Sequence, residues 1–248
     1  MDMAGNRPVQ WIEVSGDAID HNLALFRSII RPESSLLAVV KANAYGHGLA
    51  EVAPRAARTA QWMGVHCASE ARQLRRLGLK TPILVMGCVP PADFRDLDPD
   101  VHLVVSTEAS LEWTAAYRER TGTSLGVHIK VDIGTKRQGV PVEKIPAIVT
   151  RAAKLGVEVV GIAGHFANIE DTIEHEFAML QLRRFHDALD VIRGELGEDP
   201  PFIHCSCSAA ALLFRETDFT LYRESLSGPH PRSIRPGGGA SLYEYFHG

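Results

Sequence analysis

A chain of 248 residues can bury one large core, and its 45% hydrophobic and 23% charged residues are those of a globular protein, not a disordered or fibrous one. A net charge of −4 gives no electrostatic footing for nucleic acid or an anionic membrane surface. No apolar run approaches the roughly 20 residues of a membrane helix, the opening MDMAGNRPVQ lacks the apolar stretch of a signal peptide, and Cys67, Cys88, Cys205 and Cys207 show neither a disulfide framework nor paired metal-ligand spacing. A cytoplasmic protein with reduced thiols is expected.

In chain order, a helical pattern at 17–30 precedes an apolar, β-branched run at 36–41 (LLAVVK). Further candidate strands follow at 62–67 (WMGVHC), 82–86 (PILVM), 101–105 (VHLVV), 125–131 (LGVHIKV), 157–163 (VEVVGIA) and 202–206 (FIHCS), with an eighth expected at 219–223 (FTLYR). Between them lie helical patterns at 49–58, 69–77, 107–120, 141–154 and 173–194. In the last, Phe177, Leu180, Gln181, Arg184 and Phe185 fall on one helical face. Continuous apolar strands alternating with helices imply a parallel sheet covered by helices. Seven such units and an eighth strand favour an α/β fold of the (β/α)8 TIM-type barrel class, with an irregular eighth strand. A doubly wound sheet is the alternative, but no GxGxxG follows the first run.

In such barrels the chemistry sits at the C-terminal ends of the strands. The polar residues found there are Lys41, Lys130, Arg137, His165 and Ser208. Low-dielectric surroundings favour a lysine's neutral amine, the form that condenses with carbonyl groups. Taken singly, each has a plain structural reading: a strand-end lysine reaching solvent, a loop arginine, a hydrogen-bonded core histidine, a helix N-cap serine.

The segment VVKANAYGHG (39–48) resembles the pyridoxal-phosphate attachment motif of the alanine racemases. The resemblance extends in order along the chain: Trp11-Ile12-Glu13-Val14 with Ala18-Ile19 and Asn22, VHIKVDIGTKRQGV (127–140), GIAGHFANIED (161–171) and CSAAAL (207–212). It implies a fold-type III barrel that uses pyridoxal 5'-phosphate to interconvert L- and D-alanine, a small-molecule amino acid, supplying D-alanine for peptidoglycan. By the same resemblance Lys41 would hold the cofactor covalently and move a proton on one face of Cα, and Tyr45 and Ser208 would reach its phosphate. Arg137 would bond its phenolic oxygen and the substrate carboxylate, and His165 would pack on its ring. Lys130 stands where many members carry a carbamylated lysine that orients the arginine. The electron sink is the cofactor's; a planar guanidinium suits a carboxylate or oxyanion.

The sequence departs from the family in places. Cys207 stands where asparagine is usual. The arginine opposite the pyridine nitrogen has two candidates: Arg235 in SIRPGGG lies 27 residues after Ser208, and Arg223 in DFTLYRESLS lies 15 after it, the family's usual interval. Short barrel loops favour Arg223, which would bring Ser225 and Leu226 near the phosphate. After about residue 222 an Arg-, Ser-, Gly- and Pro-rich composition suggests an irregular tail out of family register, so that residues 1–248 form one barrel domain without the family's second, β-rich domain. A natural or frame-shifted truncation is expected. In the family, a tyrosine from that domain of the partner subunit in a homodimer protonates the opposite face; Tyr222, Tyr243 and Tyr245 are the C-terminal tyrosines here, none in a matching context. A single-domain carrier of pyridoxal phosphate without racemase activity is the alternative.

Overall fold

The computed structural model describes residues 12–167, 169, 175–214, 217, 219–225 and 234–236; side chains of 222–225 and 234–236 fall outside that description. Eight parallel strands form one sheet in the order β8-β7-β6-β5-β4-β3-β2-β9. They are β2 (Ser35–Val39), β3 (Trp62–Val65), β4 (Ile83–Val85), β5 (Val101–Val105), β6 (Val127–Lys130), β7 (Val159–Ala163), β8 (Phe202–His204) and β9 (Leu221–Ser225). Helices Leu49–Ala56, Ala68–Arg76, Glu108–Thr121, Ile145–Leu155 and Glu176–Leu196 alternate with them, and Gly16–Ile29 precedes β2. The chain folds as an α/β barrel. Its seam lies between β8 and β9, where the Ile203 N–H donates to Thr220 Oγ1 at 2.7 Å. A side-chain hydroxyl thus supplies the acceptor where the ladder stops.

Both faces of these strands are buried, which is why they read as unbroken apolar runs. Along β2, Leu36 and Ala38 join the layer beneath the helices, with Met63, Ile83, Ile129 and Phe185. Leu37 and Val39 turn the other way and meet Trp62, Leu84, Val104, Ala163 and Leu221 inside the ring. Full burial of one such leucine or phenylalanine contributes about 1.5–3 kcal/mol.

The structure differs from expectation in four places. The helix Glu176–Leu196 buries Ala178, Gln181, Leu182, Phe185, Ala188, Leu189 and Ile192, while Phe177 is 44% exposed. The stripe runs one position over because apolar residues occupy more than one face of the helix. Strand β2 ends at Val39, so Lys41 lies beyond the sheet. Strand β9 continues to Ser225, past the change in composition, because β2 offers it a partner from Ser35 to Val39. A small antiparallel pair, β1 (Ile12–Val14) with β10 (Ile234–Pro236), lies outside the ring.

That pairing separates the two arginines. Arg223 sits on the eighth barrel strand in register with Leu37, whereas Arg235 sits on β10 opposite Glu13, outside the barrel sheet. Tyr222 has only its backbone on β9 described, and Leu226, Tyr243 and Tyr245 lie outside the described residues. No described helix is long and apolar enough to cross a membrane.

Candidate active site at the C-terminal mouth of the barrel

After β2 the chain leaves the ladder with the Val40 N–H still donating to Gly64 O at 2.8 Å. It then makes a left-handed turn: Ala42, Asn43, Ala44 and Tyr45 all have φ between +53° and +56°. For residues with a Cβ this conformation costs roughly 1–2 kcal/mol each. Such strain persists only where surrounding bonds enforce it. The Ala44 N–H donates to Val40 O, the Gly46 N–H to Ala42 O and the Gly48 N–H to Asn43 O, while the Asn43 side chain accepts from Leu49 N–H at 2.8 Å. Glu70 adds a fifth tie, accepting from Ala42 N–H at 2.6 Å. The turn aims Lys41 and Tyr45 together, with Nζ 5.7 Å from the centre of the phenol ring.

These two side chains line a cavity of about 310 Å³ whose wall also contains Val39, His66, Met86, Val104, Lys130, Arg137, Gln138, Ala163, His165 and Cys207. The size suits a small molecule. Lys130 comes from the end of β6 and is buried, at 7% exposure. Arg137 and Gln138 come from the loop 131–140, which returns to β6 through the Val140 N–H to Lys130 O and the Asp132 N–H to Val140 O. Gly139, at φ +148°, lies so near this crossing that an added Cβ would stand 2.4 Å from the Asp132 nitrogen. Asp132 braces the loop by accepting from the Gly134 and Lys136 N–H groups. Burial pushes its carboxyl up, but those bonds and the Lys136 charge bring it below its ordinary value.

The structure therefore brings Lys41, Tyr45, Lys130, Arg137 and His165 into one wall. Ser208 opens the helix Ser208–Leu213 one residue beyond Cys207 and is not part of the cavity lining. His66 and Gln138 also line it, and the sequence reading passed over both. The strand ends at Val65, short of the apolar run 62–67, so His66 is the first residue past a strand end and not within it.

Among the described residues, the cavity's charged and imidazole side chains are Lys41, His66, Lys130, Arg137 and His165, with no carboxylate. A basic wall of this kind fits a ligand carrying phosphate and carboxylate groups, and pyridoxal phosphate with an amino acid is such a ligand. Below it the barrel is plugged by three histidines. His102 Nδ1 lies 3.0 Å from His128 Nε2, and His128 Nδ1 lies 2.8 Å from His204 Nε2. Burial lowers His102 to about 4 against a weak opposing pull from Asp100. His128 is pushed well below its ordinary value too, by burial first and then by His102. An added Cβ at Gly161 would come within 2.5 Å of His128 Nδ1, so the missing side chain makes room for that ring.

An eight-stranded parallel barrel with a strand-end lysine in a basic cavity at its C-terminal mouth has the layout of the α/β barrels whose sites are built from the loops after the strands. Residues 14–224 match the family model described as alanine racemase, N-terminal domain, and the chain belongs to that family. It is 31% identical over 221 residues to an alanine racemase of Leptospira interrogans, covering 88% of this chain and 56% of that protein. It is 37% identical over 220 residues to one from Desulforamulus reducens, covering 87% and 59%. Among solved structures, alanine racemase from Streptomyces lavendulae superposes with a TM-score of 0.84 at 29% identity, over 94% of this chain and 65% of that one. The Bacillus anthracis alanine racemase with bound L-Ala-P gives 0.81 at 31% identity, over 92% and 60%. The chain thus spans less than two thirds of the length of these relatives.

Proposed function

We propose that this barrel binds pyridoxal 5'-phosphate through Lys41 and takes part in the interconversion of L- and D-alanine in the cytoplasm. The observation carrying the reading is the convergence of Lys41, Tyr45, Lys130, Arg137 and His165 on one cavity. When bound, the cofactor supplies a conjugated electron sink for the substrate's Cα carbanion.

The chain's own groups supply the rest. Lys41, once freed from the cofactor, holds and returns a proton at Cα on the face from which its turn approaches. Arg137 presents a fork of donors to the substrate carboxylate and the phenolic oxygen. Lys130, buried at the base of the same wall, orients the Arg137 loop. His165, in the same wall, would pack on the cofactor ring. Tyr45, on Lys41's own turn, and Ser208, at the start of the following helix, serve the phosphate. Proton transfer on the second face needs a donor across from Lys41. In the family, the resemblance implies, that donor is a tyrosine of the second domain.

For the group facing the pyridine nitrogen, its register on the eighth barrel strand supports Arg223 over Arg235. Arg223→Ala is expected to shift the absorption of the bound cofactor and lower activity about tenfold or more, with Arg235→Ala near wild type. A larger change from Arg235→Ala would reverse the assignment. The function itself is tested by a coupled assay for D-alanine on protein loaded with pyridoxal phosphate. D-Alanine formation at a rate proportional to loaded protein supports racemisation. Bound cofactor with no D-alanine supports the carrier reading instead.

A further inference from the structure

Glu70 is the third residue of the helix Ala68–Arg76, where a glutamate ordinarily reaches back to the residue capping its own helix. It does so here: one carboxylate oxygen, Oε2, accepts from the Cys67 N–H at 3.3 Å and from the His66 N–H at 2.7 Å. The other oxygen crosses to a different element and accepts from Ala42 N–H at 2.6 Å, the shortest of the three bonds. That N–H belongs to the peptide plane joining Lys41 to Ala42. Its orientation is the ψ angle of Lys41, and ψ sets the direction in which the lysine side chain leaves the backbone.

We propose that Glu70 is a positioning residue for the Lys41 amine, tying the left-handed turn to the end of β3 so that the amine meets its carbonyl partner already aimed. The proposal rests on Lys41 being the attachment lysine. The chemistry asks for a carboxylate in particular. Three backbone donors converge on the side chain, and an ionised carboxylate offers two oxygens and no donor. A glutamine in the same place would turn an NH2 group toward at least one N–H. The last sheet bond before the turn, Val40 N–H to Gly64 O, lies two residues upstream of Ala42, so the ladder does not reach the plane that Glu70 holds.

The test uses the full chain, wild type and Glu70→Gln, with Thr107→Ala as a control that removes a helix cap elsewhere: Thr107 Oγ1 accepts from Ser110 N–H at 3.2 Å and touches nothing in the cavity. Each protein without cofactor is titrated with pyridoxal phosphate and quenched with borohydride at timed intervals. The label on the Lys41 peptide gives a maximal rate and a half-saturating concentration, and the thermal midpoint is recorded in parallel. Glu70→Gln is expected to lower the maximal rate about tenfold with the half-saturating concentration within twofold of wild type, because aim is lost and the basic wall is not. Thr107→Ala is expected to lower the thermal midpoint and leave both labelling parameters unchanged. Wild-type labelling in Glu70→Gln overturns the proposal. So does a loss matched by Thr107→Ala at an equal thermal midpoint, or one confined to the half-saturating concentration. A wild-type protein that takes no label at Lys41 overturns the attachment reading itself, and this proposal with it.

Discussion

Lys41→Ala is expected to remove the near-visible absorption of the protein incubated with pyridoxal phosphate and to lower D-alanine formation on the order of 10³-fold or more, the scale of losing a nucleophile that is also a proton carrier. Its thermal midpoint without cofactor is expected to stay close to wild type. The side chain is half-buried beyond the end of β2, and the bonds that hold the turn come from Val40, Ala42, Asn43 and Glu70. Absorbance spectra, the coupled assay and a melting curve on one preparation measure all three. Retained absorption in Lys41→Ala would move attachment to another lysine, with Lys130, in the same cavity, the first to examine.

The second large effect concerns pH. His102 titrates at about 4 in the folded chain because burial disfavours its charged form, and its ordinary value is 6.5. Above about pH 6.5 the ring is neutral whether folded or unfolded, and its full contribution to stability is present. Between 6.5 and 4 the unfolded chain takes up a proton that the folded barrel refuses, so stability falls. Below 4 the contribution levels off. Allowing for the part-exposed ring, His102 accounts for on the order of 2 kcal/mol across that window. His128, fully buried and lowered in the same direction, adds to the decline. Urea midpoints at pH 7.5, 5.5 and 4.5 are expected to fall in that order, and His102→Phe is expected to flatten the slope. Equal midpoints at pH 7.5 and 4.5 would contradict the account. The Asp98 carboxyl, held down chiefly by its bond to Arg75, loses its contribution only as pH falls through its lowered value, below this window.

The barrel is legible in the sequence because a parallel strand with both faces buried leaves an unbroken apolar run, and each of the eight runs became a strand. The side chains that line the candidate site from strand ends are legible for the same reason. Lys41, Lys130 and His165 interrupt or follow such runs, and Arg137 lies in the loop just past one. The left-handed turn is not legible: Ala42, Ala44 and Tyr45 are not residues that favour positive φ, and only Asn43 tolerates it readily. The conformation is held by bonds within residues 40–49 and by one from Glu70, 28 positions along the chain, a partner that no local pattern marks. His66 was hidden by reading the strand two residues too long. The histidine plug shows as three polar residues inside apolar runs, VHLVV, VHIK and FIH, but the contact between His128 and His204 spans 76 positions and depends on closure of the ring. The pair β1–β10 is three residues on each side, too short for any periodicity to mark.

Lys41 Nζ is the nitrogen expected to meet the aldehyde. Incubating the full chain with pyridoxal phosphate, reducing with borohydride and mapping the peptides tests that directly. The account predicts one dominant phosphopyridoxyl label, on the peptide containing Lys41. A label centred on Lys130 or any other lysine, or no label at saturating cofactor, would contradict it.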